Sequence, residues 1–290
     1  MAATVKMEDA LDEQFVEGFI LEKMNPEFGF ANIFKKTQVK GNATSFTYYK
    51  REKSHEDAII AGELSEPVEL GEGSNFPEIS VSGFSQEVGD FTKFGFQMRF
   101  TEELREQDHM INTVLDTYEG AVYAMLRKMN RDAYNNLVAN AQAATITLND
   151  GSWDTSEKID QDIDDMQKAF DVLGYNYKLT DMYVGKDSWY GAKSFYKANS
   201  TSGFTPNDLE GSALHKVLEL NGGLIGLDQS TRIGEWFYRN NGKHSSIEDS
   251  FIQVHRYEEN KSPFDYVIQV WAIMGLAIYK PQAILYQAGV

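Results

Sequence analysis

The residue types that most often perform chemistry in proteins lack, in this sequence, the spacing that catalysis or metal binding requires. Cysteine is absent, which excludes thiol catalysis, thiolate metal ligands and disulfide bonds. The five histidines, His55, His109, His215, His244 and His255, never fall at the spacing of metal ligands. There is no nucleophile elbow, phosphate-binding loop or His-Glu-x-x-His motif. We therefore expect no catalytic residue, no cofactor and no bound metal.

Two patterns imitate ligand-binding motifs. Asp160, Asp162 and Asp164 are spaced like the first half of a calcium loop, but Asp165 replaces the glycine that such a loop needs. The apolar residues among them have a helical period, so we interpret the acids as a solvated helix face, with a weak divalent-cation site as the alternative. The Gly-Glu-Gly sequence at 71–73 lacks the third glycine of a dinucleotide-binding fingerprint and is better explained as a turn.

A small basic cluster, Arg127, Lys128 and Arg131, is the other notable charged feature. The simpler interpretation is ion-pair support within one helix. The alternative is contact with nucleic acid or with an acidic loop of a neighbouring subunit. The sequence leaves both open.

The composition is that of a folded, acidic protein. The 290 residues include 27 Lys and Arg against 44 Asp and Glu, and the net charge is −17. This charge repels nucleic acid phosphates and anionic lipid, which argues against specific DNA binding and a membrane-surface role. The apolar run at 267–279 is shorter than the roughly 20 residues that span a bilayer, and the N-terminus does not resemble a signal peptide. We expect a soluble protein of about two domains with no membrane partner.

Much of the acidity lies in one stretch. Residues 54–92 contain nine acids, no Lys or Arg, and seven glycines and prolines that interrupt regular structure. Strand-like sequence precedes the stretch at 44–49, continues within it at Ile79 and Val81, and follows it at 94–100. We interpret the stretch as a long two-stranded arm.

Two amphipathic helices flank this arm in sequence. The first is predicted over 8–23 and ends at Asn25-Pro26; its apolar residues are Leu11, Phe15, Val16, Phe19 and Ile20. Thr101 is a good N-cap for the second, whose apolar residues then step by three and four from Ile111 to about Asn140. At 1.5 Å per residue this helix would be about 60 Å long and would act as a structural axis.

Helices and strands alternate in the remainder of the chain. We predict helices from Thr155 or Ser156 to Gly174, over 187–198 and over 209–220, and strands over 179–184, 250–257, 266–272 and 277–286.

This order of elements resembles that of the tailed-virus major capsid protein family, which has the Hong Kong ninety-seven fold. Residues 61–77 are similar to the extended loop of the family, and residues 101–140 are similar to its spine helix. The closing segment is the most specific match. Its sequences Ser262-Pro263-Phe264-Asp265 and Gly275-Leu276-Ala277-Ile278-Tyr279-Lys280-Pro281-Gln282-Ala283-Ile284 are similar to the final strands of the family.

The resemblance implies an α+β fold. Its parts would be an N-terminal arm (1–40), an extended β-hairpin loop with flanking strands (41–100), a spine helix in a peripheral domain (101–144), a mixed α/β axial domain (145–250), and closing strands of the peripheral domain that return to the axial domain (251–290). It further implies a non-enzymatic major capsid protein of a bacteriophage or archaeal virus. Such a protein assembles in the host cytoplasm, through pentamers and hexamers, into the icosahedral shell of the virion around double-stranded DNA.

An extended loop of about forty residues cannot bury a core of its own, so we expect it to lie across a neighbouring subunit. The expected contact residues in the loop are Glu56, Glu63, Glu66, Glu69, Glu72, Phe76, Ile79 and Val81. The basic residues expected to meet these acids are Lys35, Lys36, Lys50, Arg51 and Lys53. The expected partners are therefore other copies of the chain, and packaged DNA by proximity without sequence-specific binding. A separate scaffolding protein, a portal and decoration proteins are further candidates.

Three alternatives stay open at this point. An encapsulin-like compartment encloses a cargo enzyme with the same fold. An enzyme with a mixed α/β domain at 145–250 would need convergent polar residues that the sequence does not show. A different virion or surface-layer protein is the third. The chain also departs from those family members that link a loop lysine covalently to a neighbouring asparagine, because no lysine occurs between Lys53 and Lys93.

Overall fold

The structure is a computed structural model. It describes residues 10–27, 33–41, 43–52, 84–101, 103, 110–143, 148, 151–153, 158–172, 177–198, 214–216, 223–240, 244–245, 247, 250–261 and 264–288, and the findings below concern these residues.

Four helices and twelve strands form an α+β fold within this part of the chain. The helices are α1 (Glu13–Glu27), α2 (Ile111–Asn140), α3 (Ile159–Val172) and α4 (Lys186–Ala198). The strands are β1 (Lys35–Gln38), β2 (Ser45–Arg51), β3 (Phe84–Asp90), β4 (Thr92–Phe100), β5 (Gln142–Ala143), β6 (Asp181–Val184), β7 (Leu214–Lys216), β8 (Gly223–Leu227), β9 (Gly234–Tyr238), β10 (Ile252–Lys261), β11 (Phe264–Ile278) and β12 (Ile284–Ala288). No helix in the described ranges is long and apolar enough to cross a bilayer.

The chain divides into two compact units. The first unit comprises Met1–Phe46, Val88–Ala133 and Glu235–Ala277, and the second comprises Thr47–Glu87, Tyr134–Gly234 and Ile278–Val290. The five-part division expected from the sequence stays a prediction.

Strand β11 organises the sheet of the first unit. It pairs with β4 and β10 in antiparallel register and with β9, which carries β1 at the sheet edge. Because side chains alternate along a strand, Ile268, Val270 and Ala272 lie on one side and are fully buried. Gln269 and Trp271 lie on the other side and are only half-buried.

Helix α2 packs on the buried side of this sheet. Val114, Tyr118, Val122 and Met129 are all at most 3% exposed. The ring of Tyr118 meets that of Phe100 edge-on at 6.1 Å, and its hydroxyl donates to the carbonyl of Ala10 at 2.8 Å. The helix has 30 described residues, which is about 45 Å, and it ends at Asn140 as predicted. Its predicted start adjoins residues 102 and 104–109, which lie outside the described residues.

Helix α1 is confirmed, and its expected apolar face is confirmed in part, because Leu11, Val16 and Ile20 are buried whereas Phe15 and Phe19 are only half-buried. The Asp12 carboxylate caps the helix by accepting from the backbone N–H of Gln14 at 2.9 Å. The fully buried apolar residues of the helix are Val16, Ile20 and Met24, whereas Phe15 and Phe19 stack on each other at 6.2 Å. The helix also continues through Asn25-Pro26 to Glu27, four residues beyond the predicted range of 8–23.

The outer edge of β10 is closed by hydrogen bonds from outside the sheet. The backbone N–H of Val254 donates to the His244 carbonyl at 2.7 Å, and the backbone N–H of Arg256 donates to the Glu13 carboxylate at 2.5 Å. An edge strand with unpaired N–H groups would be open to pairing with another chain. Helix α1 therefore protects the sheet edge as well as covering the core.

The second unit contains a five-stranded mixed sheet in the order β5-β12-β8-β6-β7. The helices α3 and α4 and the strand β6 were predicted, whereas β8 was not. The helix predicted over 209–220 is wrong at residues 214–216, which form β7 and pair in parallel with β6. The rest of that predicted helix lies outside the described residues.

The acidic face predicted on α3 is partly wrong. Asp160 and Asp164 are exposed, but Asp162 is only 1% exposed. Its carboxylate accepts a hydrogen bond of 2.8 Å from the indole N–H of Trp153, which is fully buried. A buried carboxylate needs such a donor, because losing its hydration without one is costly.

Phe46 fills a tight space in the first unit. Its ring lies 5.1 Å from that of Phe91 and 4.7 Å from that of Phe237. Gly89 and Gly275 both face the ring, and a Cβ atom added at Gly275 would also lie 2.7 Å from the backbone oxygen of Asp90. Only glycine therefore fits at position 275.

We predict that Gly275→Ala destabilises the protein by about 1–3 kcal/mol, because the new methyl group would overpack Phe46. The matched control is Gly120→Ala in α2, where a Cβ would meet nothing within 4 Å. It should stabilise the protein by up to about 1 kcal/mol through helix propensity. Urea unfolding of the unassembled chain measures both, and an unchanged midpoint for Gly275→Ala would contradict the packing argument.

Candidate subunit interface

The acidic and apolar residues expected to contact a neighbour all lie outside the described residues. They are Glu56, Glu63, Glu66, Glu69, Glu72, Phe76, Ile79 and Val81, and the basic candidate Lys53 also lies there. Strands β2 and β3, which precede and follow this segment, pair in a two-stranded sheet. The contact role of these nine residues stays a prediction.

Three of the four described basic candidates are occupied by contacts in their own chain. The Lys36 ammonium lies 4.9 Å from the centroid of the Phe251 ring, and burial lowers the pKa of Lys36. Lys50 donates to the Asn140 side chain at 3.0 Å. The Arg51 guanidinium lies 5.5 Å from the centroid of the Phe84 ring.

Lys35, the fourth basic candidate, is exposed on edge strand β1. It is therefore the described candidate best placed to meet an acid of another chain.

A more extensive polar surface lies on the outer side of the first-unit sheet, and sequence reasoning did not identify it. The β4–β11 register places Arg99 beside Val267, Gln97 beside Gln269, Gly95 beside Trp271 and Lys93 beside Ile273. All four β4 residues of this set are exposed. We call the surface formed by Lys93, Gly95, Gln97, Arg99, Gln269 and Trp271 the outer sheet face.

The outer sheet face combines positive charge with an aromatic ring. The Lys93 ammonium lies 4.6 Å from the centroid of the Trp271 ring, and the side-chain amides of Gln97 and Gln269 approach to 3.0 Å. Gly95 leaves a shallow cleft of about 390 Å³ between these side chains. A Cβ at position 95 would lie 2.7 Å from the Trp271 Cα, so only glycine allows the two strands to approach this closely.

Two histidines that are separate in sequence meet beside this face. The rings of His244 and His255 are 4.6 Å apart, and His244 lies 5.3 Å from the ring of Trp271. His255 Nδ1 is 3.4 Å from a carboxylate oxygen of Glu13. The spacing of the histidines in the sequence does not predict this pair, because it is the contact between β10 and the segment before it that brings the two rings together.

Within the described ranges, no group of three or more His, Asp or Glu side chains is arranged to hold a metal ion. The Asp160, Asp162 and Asp164 series does not converge, because one carboxylate is buried against Trp153 while the other two are exposed on the surface of α3. The outer sheet face instead carries the exposed positive charges of Lys93 and Arg99 beside the ring of Trp271. It is therefore suited to binding a polymer of opposite charge, such as an acidic peptide segment.

A family model described as phage capsid protein matches residues 86–287 of the chain. No curated protein sequence is significantly similar to it.

Solved structures share the fold at low sequence identity. The virus-like particle of Pyrococcus furiosus is 11% identical with a TM-score of 0.58, and the match covers 93% of this chain and 96% of that chain. A phage-related protein from Bordetella bronchiseptica RB50 is 10% identical with a TM-score of 0.60, covering 93% and 94%. The capsid protein of the cyanophage P-SCSP1u is 9% identical with a TM-score of 0.58, covering 89% and 86%. At these identities the likeness establishes the fold.

Proposed function

The chain belongs to the phage capsid protein family, and from this premise we propose how its surfaces build a shell. It is a major capsid protein with the Hong Kong ninety-seven fold, as the sequence resemblance predicted. Nothing favours an encapsulin-like compartment over this function. The role is structural, and we propose that the chain performs no catalysis.

We propose that the acidic segment at 54–83 of one subunit binds the outer sheet face of its neighbour. The segment carries seven acids and no Lys or Arg. On the outer sheet face, Lys93 and Arg99 supply exposed positive charge and Trp271 supplies half-buried apolar area. The charge pairs would set partner and register, because exposed ion pairs contribute little affinity each. Lys35 and Lys53 stay further candidates for such pairs.

This contact joins two different patches of the same chain, so it propagates from subunit to subunit. Contacts of this head-to-tail type close into rings when the rotation between subunits permits. Pentamers and hexamers formed in this way then combine into an icosahedral shell, in which many weak interfaces sum to a strong one. We propose that assembly takes place in the host cytoplasm with a separate scaffolding protein, a portal and decoration proteins as partners.

Family membership is the observation that carries the proposal, and particle size tests it. Purified protein should form pentamers, hexamers or megadalton shells by light scattering and negative-stain microscopy. A variant that lacks residues 56–76 should keep its fold by circular dichroism but form no shells. A strict monomer at high concentration would count against the function, and normal shells from the deletion would refute the role of the segment.

We predict that the charge reversal Lys93→Glu/Arg99→Glu prevents shell assembly at low salt, because it makes the outer sheet face repel the acidic segment. Adding Glu66→Lys/Glu69→Lys to the same chain should restore assembly in part. The matched control is Lys186→Glu/Lys197→Glu, which makes the same change in net charge at exposed positions of α4. Sedimentation of assembly reactions measures all three, and undiminished assembly of the first variant would exclude the outer sheet face as the docking surface.

We also predict that mature particles contain no covalent links between subunits. The chain has no lysine between Lys53 and Lys93, so the acidic segment has no amine to offer to a neighbouring asparagine. Denatured particles should give one band of about the chain mass, 32.8 kDa, on a gel. A ladder of covalent multimers would show the prediction to be wrong.

A further inference from the structure

The first unit has two sides with different chemistry. Its sheet turns one side toward α2, where Phe100 meets Tyr118, and exposes the outer sheet face on the other. The solvent face of α2 therefore lies on the side of the first unit opposite to the outer sheet face. In a shell one subunit thick, the outer sheet face and the solvent face of α2 point in opposite directions, so a single partner cannot contact both.

The solvent face of α2 carries a basic stripe, which we define as Tyr123, Arg127 and Arg131. These residues recur every four positions, so their side chains follow one another along the helix at about 6 Å. All three are exposed, and Tyr123 is 50% exposed. Neither arginine forms an ion pair with another residue that the structure describes.

The nearest acid on the same stretch of helix is already paired. Asp132 accepts from the Lys128 ammonium at 2.5 Å, one helical turn away. The basic cluster noted in the sequence thus separates into one internal ion pair and two outward-facing arginines. Ion-pair support within the helix, the simpler interpretation of the cluster, is confirmed for Lys128. The alternative interpretation, contact with nucleic acid or with an acidic loop of a neighbour, concerns Arg127 and Arg131.

We propose that the basic stripe is the surface of the shell subunit that contacts packaged duplex DNA, through its phosphates and without reading sequence. The inference rests on the proposed function, because only a shell that encloses a genome brings DNA to this side. A DNA duplex carries one negative charge per about 1.7 Å of its axis. Two arginines one turn of the α-helix apart therefore find phosphates within reach wherever they lie along the duplex. The planar guanidinium donates two parallel hydrogen bonds to phosphate, and the Tyr123 hydroxyl is a further donor.

An acidic segment of a neighbour is the other polymer that positive charge could attract. The basic stripe offers it two charges on a straight helix, whereas the outer sheet face offers charge together with a cleft and the ring of Trp271. A peptide segment that contains Phe76 and Ile79 gains from apolar area, and a phosphate backbone does not. The stripe is accordingly the better match for DNA.

The contact should be weak for each subunit. The net charge of −17 repels DNA from the chain as a whole, and two arginines offset this only locally. Weak, sequence-independent contacts repeated over a shell would hold the outer layer of DNA in place and still release it, because each contact breaks separately.

The test measures binding of a fluorescent 24-base-pair duplex of mixed sequence to the unassembled full chain, by anisotropy between 25 and 200 mM NaCl. The variant Arg127→Gln/Arg131→Gln should bind more weakly, and its plot of log K against log salt should be shallower by roughly 1.8, the loss of two phosphate contacts. The matched control Lys186→Gln/Lys197→Gln removes the same charge from α4 and should leave the slope unchanged. Duplexes of different sequence should give the same slope.

Three results would overturn the proposal. They are an unchanged slope in the arginine variant, an equal loss in the control variant, and the absence of wild-type binding even at 25 mM NaCl. Shell formation by the arginine variant is scored separately by microscopy. Normal shells with reduced DNA binding support the proposal that the basic stripe contacts DNA. Failed assembly with unchanged DNA binding would instead identify the stripe as a contact with a neighbour's acidic segment. Failure of the DNA result with normal shells would leave the capsid function intact.

Discussion

The alternation of side chains along β11 is the constraint on which the first unit depends. This strand pairs with β4, β10 and β9, so its pleat fixes which residues of the whole sheet face inward. Ile268, Val270 and Ala272 lie on the buried side of the sheet, the side on which Phe100 meets Tyr118 of α2. The same register leaves Gln269 and Trp271 on the outside, where β4 adds its polar residues. A slip of one residue would exchange the two sides, burying charge and exposing the core.

Positive and negative charges are concentrated in different parts of this protein, although the chain as a whole is acidic. The segment at 54–92 and the region around α3 hold much of the negative charge, while exposed cations occur on the outer sheet face and on α2. Surface ion pairs are individually weak and are screened by salt. In a shell made from many copies, weak contacts sum over many interfaces, and a net charge far from zero opposes the non-specific association of free subunits.

Burial gives several polar residues roles that their sequence neighbourhoods do not indicate. Asp162 belongs to an acidic run, yet it lies in the core because Trp153 supplies a donor for its carboxylate. Glu13 closes the edge of β10, and Glu17 is buried while it accepts from Ser245 at 2.5 Å. Each of these carboxylates binds a group that is distant in sequence or outside the helical pattern. Periodicity therefore predicted α1 to α4 correctly, whereas residues 214–216 of a further predicted helix form a strand, and Asp162, predicted to be solvated, is buried.

The sequence by itself determined the elements with strong local patterns and, through the order of those elements, the family. The three-and-four spacing in α2 and the alternation in β4 are encoded within a few residues, so they can be read without partners. The tertiary structure alone decided that Asp162 is buried, that His244 meets His255, that residues 214–216 pair as a strand, and that Lys93 lies over Trp271. These features depend on contacts between residues far apart in the chain. Strand pairing and burial set the environment of each side chain, and a pattern within a few residues carries no information about its distant partners.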